Sequence, residues 1–394
     1  MESSCVREVG RRPTDTQCSG PLAVDLFSGA GGLTSGFEAA GYRVVQAIES
    51  CPHAAATYAQ NHPDVDVVLG DIRKMDAALT AARVGLDRHE LDILLAGPPC
   101  QGFSESNKRT RTLLNPANGL YQEFLRFLGV LNPSWFLFEN VPGLLTLSEG
   151  SVLKAIQCAA KELGYESEWR VVNALNYGVP QNRRRVFLVG NRTGTPISFP
   201  EPTHGTTDTA RAVTVGEAIR DLPVLENGAS TDRRPFRKPL DTSNEYLARV
   251  RDLRGEDDLV SGNLVTHNSE KVVLRYKHVG QGQNWTQIPR HLMDNYHDLS
   301  RCHTGVYYRL RWDEPAKVLG NFRKNMLIHP EQDRGLSIRE AARLQSFSDS
   351  YVFTGSIGFQ QQQVADSVPP LLALTVALEI RRHDISFDGA MDGR

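Results

Sequence analysis

Short apolar runs recur through the first half of the chain, and segments with helical periodicity separate most of them. The first run leads through a glycine-rich turn into an amphipathic stretch, which predicts strand, loop and helix over residues 22–41. Strands that alternate with helices predict an α/β fold with a largely parallel sheet, whose ligands bind at the carboxyl ends of the strands. The later apolar runs cover residues 42–49, 66–71, 91–99, 135–141, 167–174 and 184–191.

The pattern becomes polar and irregular after about residue 199, which predicts a second, smaller domain. Ser337 followed by Glu340 is the capping-box arrangement and predicts the start of a helix. Residues 369–382 predict a last helix that is apolar on more than one face and packs back on the first domain. We therefore expect a disordered leader (1–20), a first domain (21–200, completed by 346–385), a second domain (201–345) and a tail (386–394).

Composition argues against a disulfide-rich, metal-binding or membrane protein, but it does not indicate a binding partner. The formal net charge is −2, although basic residues cluster at 231–240 and 301–343. Such clusters could contact phosphates or could simply be solvated surface. The six cysteines form no CxxC pair and no Cys/His cluster, so neither a disulfide framework nor a metal site is predicted. No run approaches the roughly 18 apolar residues of a membrane span, and the N-terminus lacks an apolar signal core. We expect an intracellular protein without a membrane partner.

Small residues follow the first predicted strand, in the segment DLFSGAGG at 25–32. Such a turn lets a ligand approach backbone amides, but alone it could serve a dinucleotide, a nucleoside or the fold only. Glu49 and Asp71 end the second and third apolar runs, where carboxylates can accept hydrogen bonds from a ribose or an adenine amine. Because no GxxxxGK[ST] motif is present, a nucleoside cofactor is favoured over a nucleoside triphosphate.

Cys100 lies in the segment GPPCQGFS (97–104), directly after an apolar run. Two prolines stiffen the turn, so the thiol would be fixed at a strand end beside the cofactor, as a nucleophile requires. An arbitrary cysteine is more often a small buried apolar residue, but that alternative does not explain the residues around this one. The polar, basic stretch 105–119 is suited to a mobile loop that closes over a substrate.

Six segments in this order resemble the motifs of the DNA cytosine-5 methyltransferase family, over residues 22 to 380. The resemblance implies a Rossmann-like, S-adenosylmethionine-dependent methyltransferase fold, with target recognition in the variable stretch from about 200 to 335. It also implies a partner, double-stranded DNA, and leaves open a separate cognate restriction endonuclease; we expect a cytoplasmic monomer. The segments are DLFSGAGG, GPPCQGFS, ENV (139–141), QNRRR (181–185), REAARLQ (339–345) and QVADSVPP (363–370).

The resemblance implies methyl transfer to carbon 5 of a cytosine flipped out of a specific duplex sequence. Cys100 would add to carbon 6 as a thiolate and make carbon 5 nucleophilic. Glu139, after an apolar run that should raise its pKa, would hold a proton at ring N3. Arg183 and Arg185 alternate along an extended segment, so both could point toward the base carbonyl and Glu139. No residue suggests itself as acceptor of the carbon 5 proton, and water is the simplest candidate.

The family's cofactor and DNA contacts can be carried over residue by residue. Phe27 would lie against the adenine, Glu49 would bind the ribose hydroxyls and Asp71 would lie near the adenine amine. The full expected cofactor set is Asp25, Phe27, Ser28, Gly29, Gly31, Glu49, Asp71, Ile72, Pro98, Leu120, Asp366 and Ser367. The expected DNA contacts are Gln101, Ser104, Lys108, Arg109 and Arg111.

Departures from the motifs leave alternatives open. Ala365-Asp366 replaces the usual Gly-Asn, and the added carboxylate could weaken binding of the cofactor's own carboxylate. A DNA-binding relative that has lost turnover is therefore one alternative. A second is the tRNA-modifying branch, which usually has Pro-Phe-Thr after Pro-Pro-Cys-Gln, whereas this chain has Gly-Phe-Ser. A dinucleotide oxidoreductase would leave the Cys100 and Glu139 segments unexplained.

Overall fold

The computed structural model describes residues 20–86, 89–99, 119–146, 150–253, 258–296, 302–320, 322 and 326–391, with side-chain positions up to residue 383. The strands are β1 Leu22–Leu26, β2 Arg43–Glu49, β3 Asp66–Leu69, β4 Ile93–Ala96, β5 Trp135–Asn140, β6 Glu166–Asn173, β7 Gln181–Asn182, β8 Arg184–Asn191, β9 Arg234–Pro235, β10 Leu259–Val260 and β11 Ala316–Lys317. The helices are α1 Gly32–Ala39, α2 Pro52–Asn61, α3 Ala77–Ala82, α4 Leu120–Leu131, α5 Ser151–Glu162, α6 Val215–Ile219, α7 Glu245–Val250, α8 Glu270–Lys277, α9 Ile338–Leu344, α10 Ile357–Asp366 and α11 Pro370–Met391.

Seven strands form one sheet in the order β3-β2-β1-β4-β5-β8-β6. The neighbours among the first five strands pair in parallel, whereas β8 runs antiparallel to both β5 and β6. The expected α/β fold is confirmed, and most predicted strands match the observed bounds within two residues. The carboxyl ends of β1 to β5 therefore lie along one edge, where residues distant in sequence can meet.

Apolar helix faces cover both sides of this sheet. On one side Phe37 of α1 and Leu372 and Val376 of α11 pack with the buried strand residues Ile93 and Leu137. The other side is covered by apolar residues of α3, α4 and α5. The last helix does pack back on α1: a Cβ at Gly36 would lie 2.4 Å from the Cβ of Ala373.

One helical stretch in the described chain, Ile357–His383, is long and apolar enough by composition to cross a membrane. However, 72% of its most apolar window is buried inside the protein. This burial is what a core helix of a folded domain shows, because its apolar side chains are already covered by protein.

Residues between 213 and 365 contribute another apolar cluster, centred on helix α9. The capping box predicted at its start is present, with Ser337 and Glu340 bonding each other's backbone N–H groups. Buried ion pairs surround the helix: Arg334 donates to both carboxylate oxygens of Glu340 at 2.8 and 2.6 Å. Arg343 pairs with Asp349 in the same way, at 2.6 Å for both bonds.

A small parallel sheet connects this part of the chain to the segment just before β8. β11 pairs with β7, so that Ala316 lies opposite Gln181 and Lys317 opposite Asn182. Gln181 is buried and donates to the carbonyl of Leu344 at the end of α9. The segment leading into Arg183 and Arg185 is thus held by two elements more than 130 residues later in the chain.

Candidate active site

The glycine-rich turn follows β1 at the carboxyl edge of the sheet. Phe27, Gly29 and Gly31 all have positive φ, of 58°, 57° and 88°. A Cβ at Gly31 would meet the His62 ring at 2.6 Å, so this glycine is required by close packing as well as by its backbone. A Cβ at Gly29 would have no atom within 4 Å, so the turn is tightly packed at one glycine and open at the other.

Glu49, at the end of β2, is fixed beside this turn by backbone amides. Its Oε2 accepts a 2.9 Å hydrogen bond from Gly29 N–H, and its Oε1 accepts one of 2.6 Å from Cys51 N–H. Oε1 also accepts a 3.3 Å hydrogen bond from Ser50 Oγ. Because a carboxylate oxygen can accept two hydrogen bonds, Oε2 keeps capacity for a ligand hydroxyl. The side chain therefore has the position and the chemistry of a ribose-binding acid.

Asp71 follows β3 and caps a short 3₁₀ turn that begins at buried Ile72. It accepts hydrogen bonds from the backbone and the guanidinium of Arg73, including one of 2.7 Å from Nη2. These bonds lower the pKa of Asp71 to about 2. The carboxylate is thus ionised and oriented by an arginine that the sequence analysis did not single out.

Asp25 lies buried beneath the turn. Burial raises its pKa to about 7, although a 2.7 Å hydrogen bond from Thr34 Oγ1 opposes that rise. Thr34 is in turn 2.7 Å from the hydroxyl of Tyr58. Among the described residues, Oδ1 of Asp25 is fully buried and has no hydrogen-bond partner.

These features fit a nucleoside cofactor. The open space at Gly29, the Glu49 carboxylate and the capped Asp71 lie at the ends of three adjacent strands. Pro98, which follows β4, is buried, and its carbonyl accepts a 3.2 Å hydrogen bond from Asn140 Nδ2. Half-buried Leu120 begins α4 and packs on the apolar cluster behind the strands.

Glu139, near the end of β5, is buried and forms an ion pair with Arg185. The Arg185 Nε lies 2.8 Å from Oε1, and both side chains are 11% exposed. Burial raises the pKa of Glu139, and the charges of Arg185 and Arg183 partly offset the rise. A buried acid with a raised pKa and one arginine partner can exchange a proton with a base held against it.

Arg183 lies near enough for its charge to act on Glu139, and its guanidinium also binds backbone carbonyls. Its guanidinium donates to the carbonyl of Leu319 at 3.1 Å and to those of Ala365 and Ser367 at 2.8 and 2.9 Å. These bonds connect the residue just before β8 to the backbone of two distant segments. The ion pair to Glu139 is made by Arg185.

The segment 365–368 reaches the start of α1. The carbonyl of Val368 would lie 2.3 Å from a Cβ on Gly32, and Ser367 donates through Oγ to Gln363 O at 2.7 Å. Asp366, directly before Ser367, is exposed and accepts a 2.6 Å hydrogen bond from Gln362. The glycine-rich turn, Asp366 and the Glu139–Arg185 pair thus surround one part of the sheet edge.

Comparison with known proteins identifies this arrangement. A family model described as C-5 cytosine-specific DNA methylase matches residues 23–382. The chain belongs to this family. Members of the C-5 methylase family with this fold use S-adenosylmethionine as the methyl donor, so the chain is an S-adenosylmethionine-dependent DNA cytosine-5-methyltransferase, as the sequence motifs predicted.

Curated relatives extend over nearly the whole chain. Type II methyltransferase M1.HphI of Haemophilus parahaemolyticus is 34% identical over 91% of this chain and 86% of its own length. Type II methyltransferase M.AgeI of Thalassovita gelatinovora is 31% identical over 91% of this chain and 98% of its own length. The alignments therefore include both the motif-bearing segments and the variable region.

Solved structures agree with the fold. A DNA modification methyltransferase encoded within an Escherichia coli prophage has a TM-score of 0.73 at 26% identity, and covers 93% of this chain and 100% of its own. The Entamoeba histolytica methyltransferase EhMeth has a TM-score of 0.60 at 13% identity, with 93% and 99% coverage, and supports the fold alone. Neither an oxidoreductase nor a tRNA-modifying enzyme is favoured by these findings.

Several expected C-5 methylase residues lie outside the described part of the chain: Cys100, Gln101, Ser104, Lys108, Arg109 and Arg111. The described chain leads close to them. A Cβ on Gly97, three residues before Cys100, would lie 3.6 Å from Oε2 of Glu139. Gly97, from which the chain continues to Cys100, therefore lies next to the Glu139 carboxyl group.

Proposed function

We propose that this methyltransferase acts on a cytosine flipped out of a specific duplex DNA sequence, through a transient bond between Cys100 and carbon 6. The observation that carries the proposal is the buried Glu139–Arg185 pair at the end of β5, the strand next to β4, whose end leads to Cys100. A base inside a duplex could not reach a buried acid, so the burial of Glu139 supports flipping.

In this mechanism the Cys100 thiolate adds to carbon 6, and the ring's electron pair moves toward N3. Glu139 holds a proton at N3, because its raised pKa keeps the acid form accessible and the proton neutralises the developing charge. Arg185 fixes the carboxyl and faces the base carbonyl. Once carbon 5 carries the transferred methyl group beside its original proton, loss of that proton to water and departure of Cys100 as thiolate would restore the aromatic ring.

The cofactor would be held by residues of the turn and of the next two strand ends. Glu49 binds ribose hydroxyls, Asp71 lies near the adenine amine, and Phe27 lies against the adenine face. When bound, S-adenosylmethionine supplies an electrophilic methyl group on a sulfonium sulfur. Arg183 acts on this site as a positioning residue, because it holds the carbonyls on either side of Asp366.

DNA recognition would fall to the variable region, residues 201–345, while residues 21–200 with 346–385 carry cofactor and chemistry. The proposed strand contacts Gln101, Ser104, Lys108, Arg109 and Arg111 precede α4. The relatives' Type II names support membership of a restriction–modification system, with the endonuclease as a separate protein. A monomer in the cytoplasm, where bacterial DNA lies, completes the proposal.

The decisive experiment uses duplex DNA that contains 5-fluorocytosine, because fluorine cannot leave carbon 5 as a proton does and the adduct is trapped. Wild-type protein with S-adenosylmethionine should give a covalent complex that survives denaturation, and Cys100→Ser should give none. Cys158→Ser is the matched control, since Cys158 is exposed on α5, and it should behave as wild type. Undiminished 5-methylcytosine production by Cys100→Ser would overturn the mechanism.

Two further assays separate the alternatives. Competing tritium transfer to duplex DNA and to tRNA should favour the duplex. Bisulfite sequencing of DNA from cells that express the chain tests turnover and shows the recognition sequence. A gel shift with duplex DNA without any methylation would instead identify a binding protein that has lost turnover.

A further inference from the structure

Two buried side chains and a half-exposed carboxylate form a hydrogen-bonded chain beside the glycine-rich turn. The Tyr351 hydroxyl donates to the carbonyl of Ala30 and lies 3.1 Å from Nε2 of His62. Nδ1 of His62 lies 2.7 Å from Oε2 of Glu38. Tyr351 and His62 are 7% and 5% exposed, so the chain runs through the protein interior and ends at the half-exposed Glu38.

We propose that Tyr351, His62 and Glu38 are positioning residues that set cofactor affinity by fixing the backbone of the glycine-rich turn. The inference rests on the proposed cofactor site at this turn. The three side chains act through Ala30 and Gly31 rather than by contact with the cofactor. The Tyr351 hydroxyl is the hydrogen-bond donor, and the Ala30 carbonyl is the acceptor. The open space beside this turn is where the proposed nucleoside would bind.

Close packing supports a direct mechanical link. A Cβ at Gly31 would lie 2.6 Å from Nε2 of His62 and 2.7 Å from the hydroxyl of Tyr351. The turn therefore rests against the hydrogen-bonded chain without room for another atom. A shift of Tyr351 or His62 must move the turn or leave a gap.

The turn is held from two directions. Glu49 accepts from the amide of Gly29, and Tyr351 donates to the carbonyl of the next residue, Ala30. Glu49 is also the proposed ribose ligand, so a displacement of the turn would misplace the acid together with the open space at Gly29. Apolar residues could fill the same volume, but they could not fix the direction of the Ala30 carbonyl.

Tyr351 also connects the turn to the far part of the chain. It lies seven residues after α9, and its own carbonyl accepts a hydrogen bond of 2.6 Å from Nη2 of buried Arg339 in that helix. Its ring packs against Phe347 and Phe353 of the same segment. The position of the cofactor turn thus depends on a helix that packs with the variable region.

The test removes one hydroxyl. Tyr351→Phe should raise the dissociation constant for S-adenosylhomocysteine about three- to tenfold, the factor expected for a lost hydrogen bond. The measurement is titration calorimetry on the full chain without DNA. In turnover assays KM for S-adenosylmethionine should rise by a similar factor, with kcat at saturating cofactor unchanged.

Tyr177→Phe is the matched control. The Tyr177 hydroxyl is also buried and donates 2.8 Å to a backbone carbonyl, that of Pro200. Both variants should lose similar stability in urea unfolding, but only Tyr351→Phe should bind S-adenosylhomocysteine more weakly. Glu38→Gln, which alters the half-exposed end of the chain, provides a second variant and should raise the dissociation constant by a smaller factor.

Wild-type affinity in both Tyr351→Phe and Glu38→Gln would overturn the inference, because the chain would then serve folding only. The outcome is separable from the covalent mechanism. If wild type binds S-adenosylhomocysteine but forms no adduct on 5-fluorocytosine DNA, the Cys100 proposal fails while this inference is still tested. If Tyr351→Phe binds normally while the adduct forms, only the positioning role is lost.

Discussion

Removal of Arg185 tests whether the pKa of buried Glu139 is raised. Arg185→Met keeps most of the side-chain volume but deletes the guanidinium that lies 2.8 Å from Oε1. Breaking a buried pair by removing one partner typically costs about 3–5 kcal/mol. Glu139 can limit that cost by binding a proton, since burial already raises its pKa and Arg185 is the main group that opposes the rise.

The sign of the pH dependence follows from this raised pKa. In Arg185→Met the native state keeps the Glu139 proton at pH values where the unfolded chain, with a pKa near 4.3, has lost it. Stability must therefore fall as pH rises from about 4.3 toward the native pKa, by up to about 1.4 kcal/mol per pH unit. The variant should be destabilised by about 1–2 kcal/mol at pH 5.5 and about 3 kcal/mol or more at pH 8.

The assay is urea unfolding at pH 5.5 and pH 8 for wild type, Arg185→Met and the double variant Glu139→Gln/Arg185→Met. The double variant cannot ionise at position 139, so it should lack the additional pH dependence of the single variant. All other titrating groups are common to the two variants and cancel in the comparison. Equal pH dependence in the single and double variants would refute the assignment of a raised pKa to Glu139.

Four other changes give distinct outcomes. Gly29→Ala should fold with a loss of about 1 kcal/mol, because its Cβ meets only open space, yet should weaken S-adenosylhomocysteine binding in calorimetry. Gly32→Ala, whose Cβ would lie 2.3 Å from a backbone carbonyl, should lower the melting temperature much more. Asp366→Asn should tighten S-adenosylhomocysteine binding about two- to tenfold, by removing a charge near the ligand's carboxylate; weaker binding would contradict the repulsion. Glu340→Ala should cost about 3–5 kcal/mol in urea unfolding at pH 7, because Arg334 is left buried. In wild type the pKa of Glu340 is lowered to about 2, since Arg334 outweighs burial, so this stabilisation should persist above pH 4.3 and disappear as pH falls toward 2.

Local patterns anticipated much of the site. The strand carrying Glu139 was predicted over residues 135–141 and is observed as Trp135–Asn140, and β8 was predicted with its observed bounds. The turn at 25–32, the acids at strand ends and the capping box at Ser337 were all found where the sequence placed them. Each depends on residues within a few positions of one another, so a single sequence shows them.

Other features had no local signal. The hydrogen bonds from Arg183 to the carbonyls of Leu319, Ala365 and Ser367, at least 136 residues away, were not predicted. Tyr351 donates to Ala30 across 321 residues, and no motif marks it or His62. Such contacts depend on how helices and strands pack against one another. Chains with the same local sequence pattern could pack these elements differently.

The order of motifs along this chain determined the family, the methyl donor and the residue types available for chemistry, because strand and turn preferences and reactive side chains are properties of short segments. Tertiary structure alone decided which arginine pairs with Glu139, what holds the cofactor turn, and how the variable region contacts the segment just before β8 through β7 and β11. These outcomes depend on close packing between segments that are far apart in the sequence, where positions within about an ångström select one partner over another.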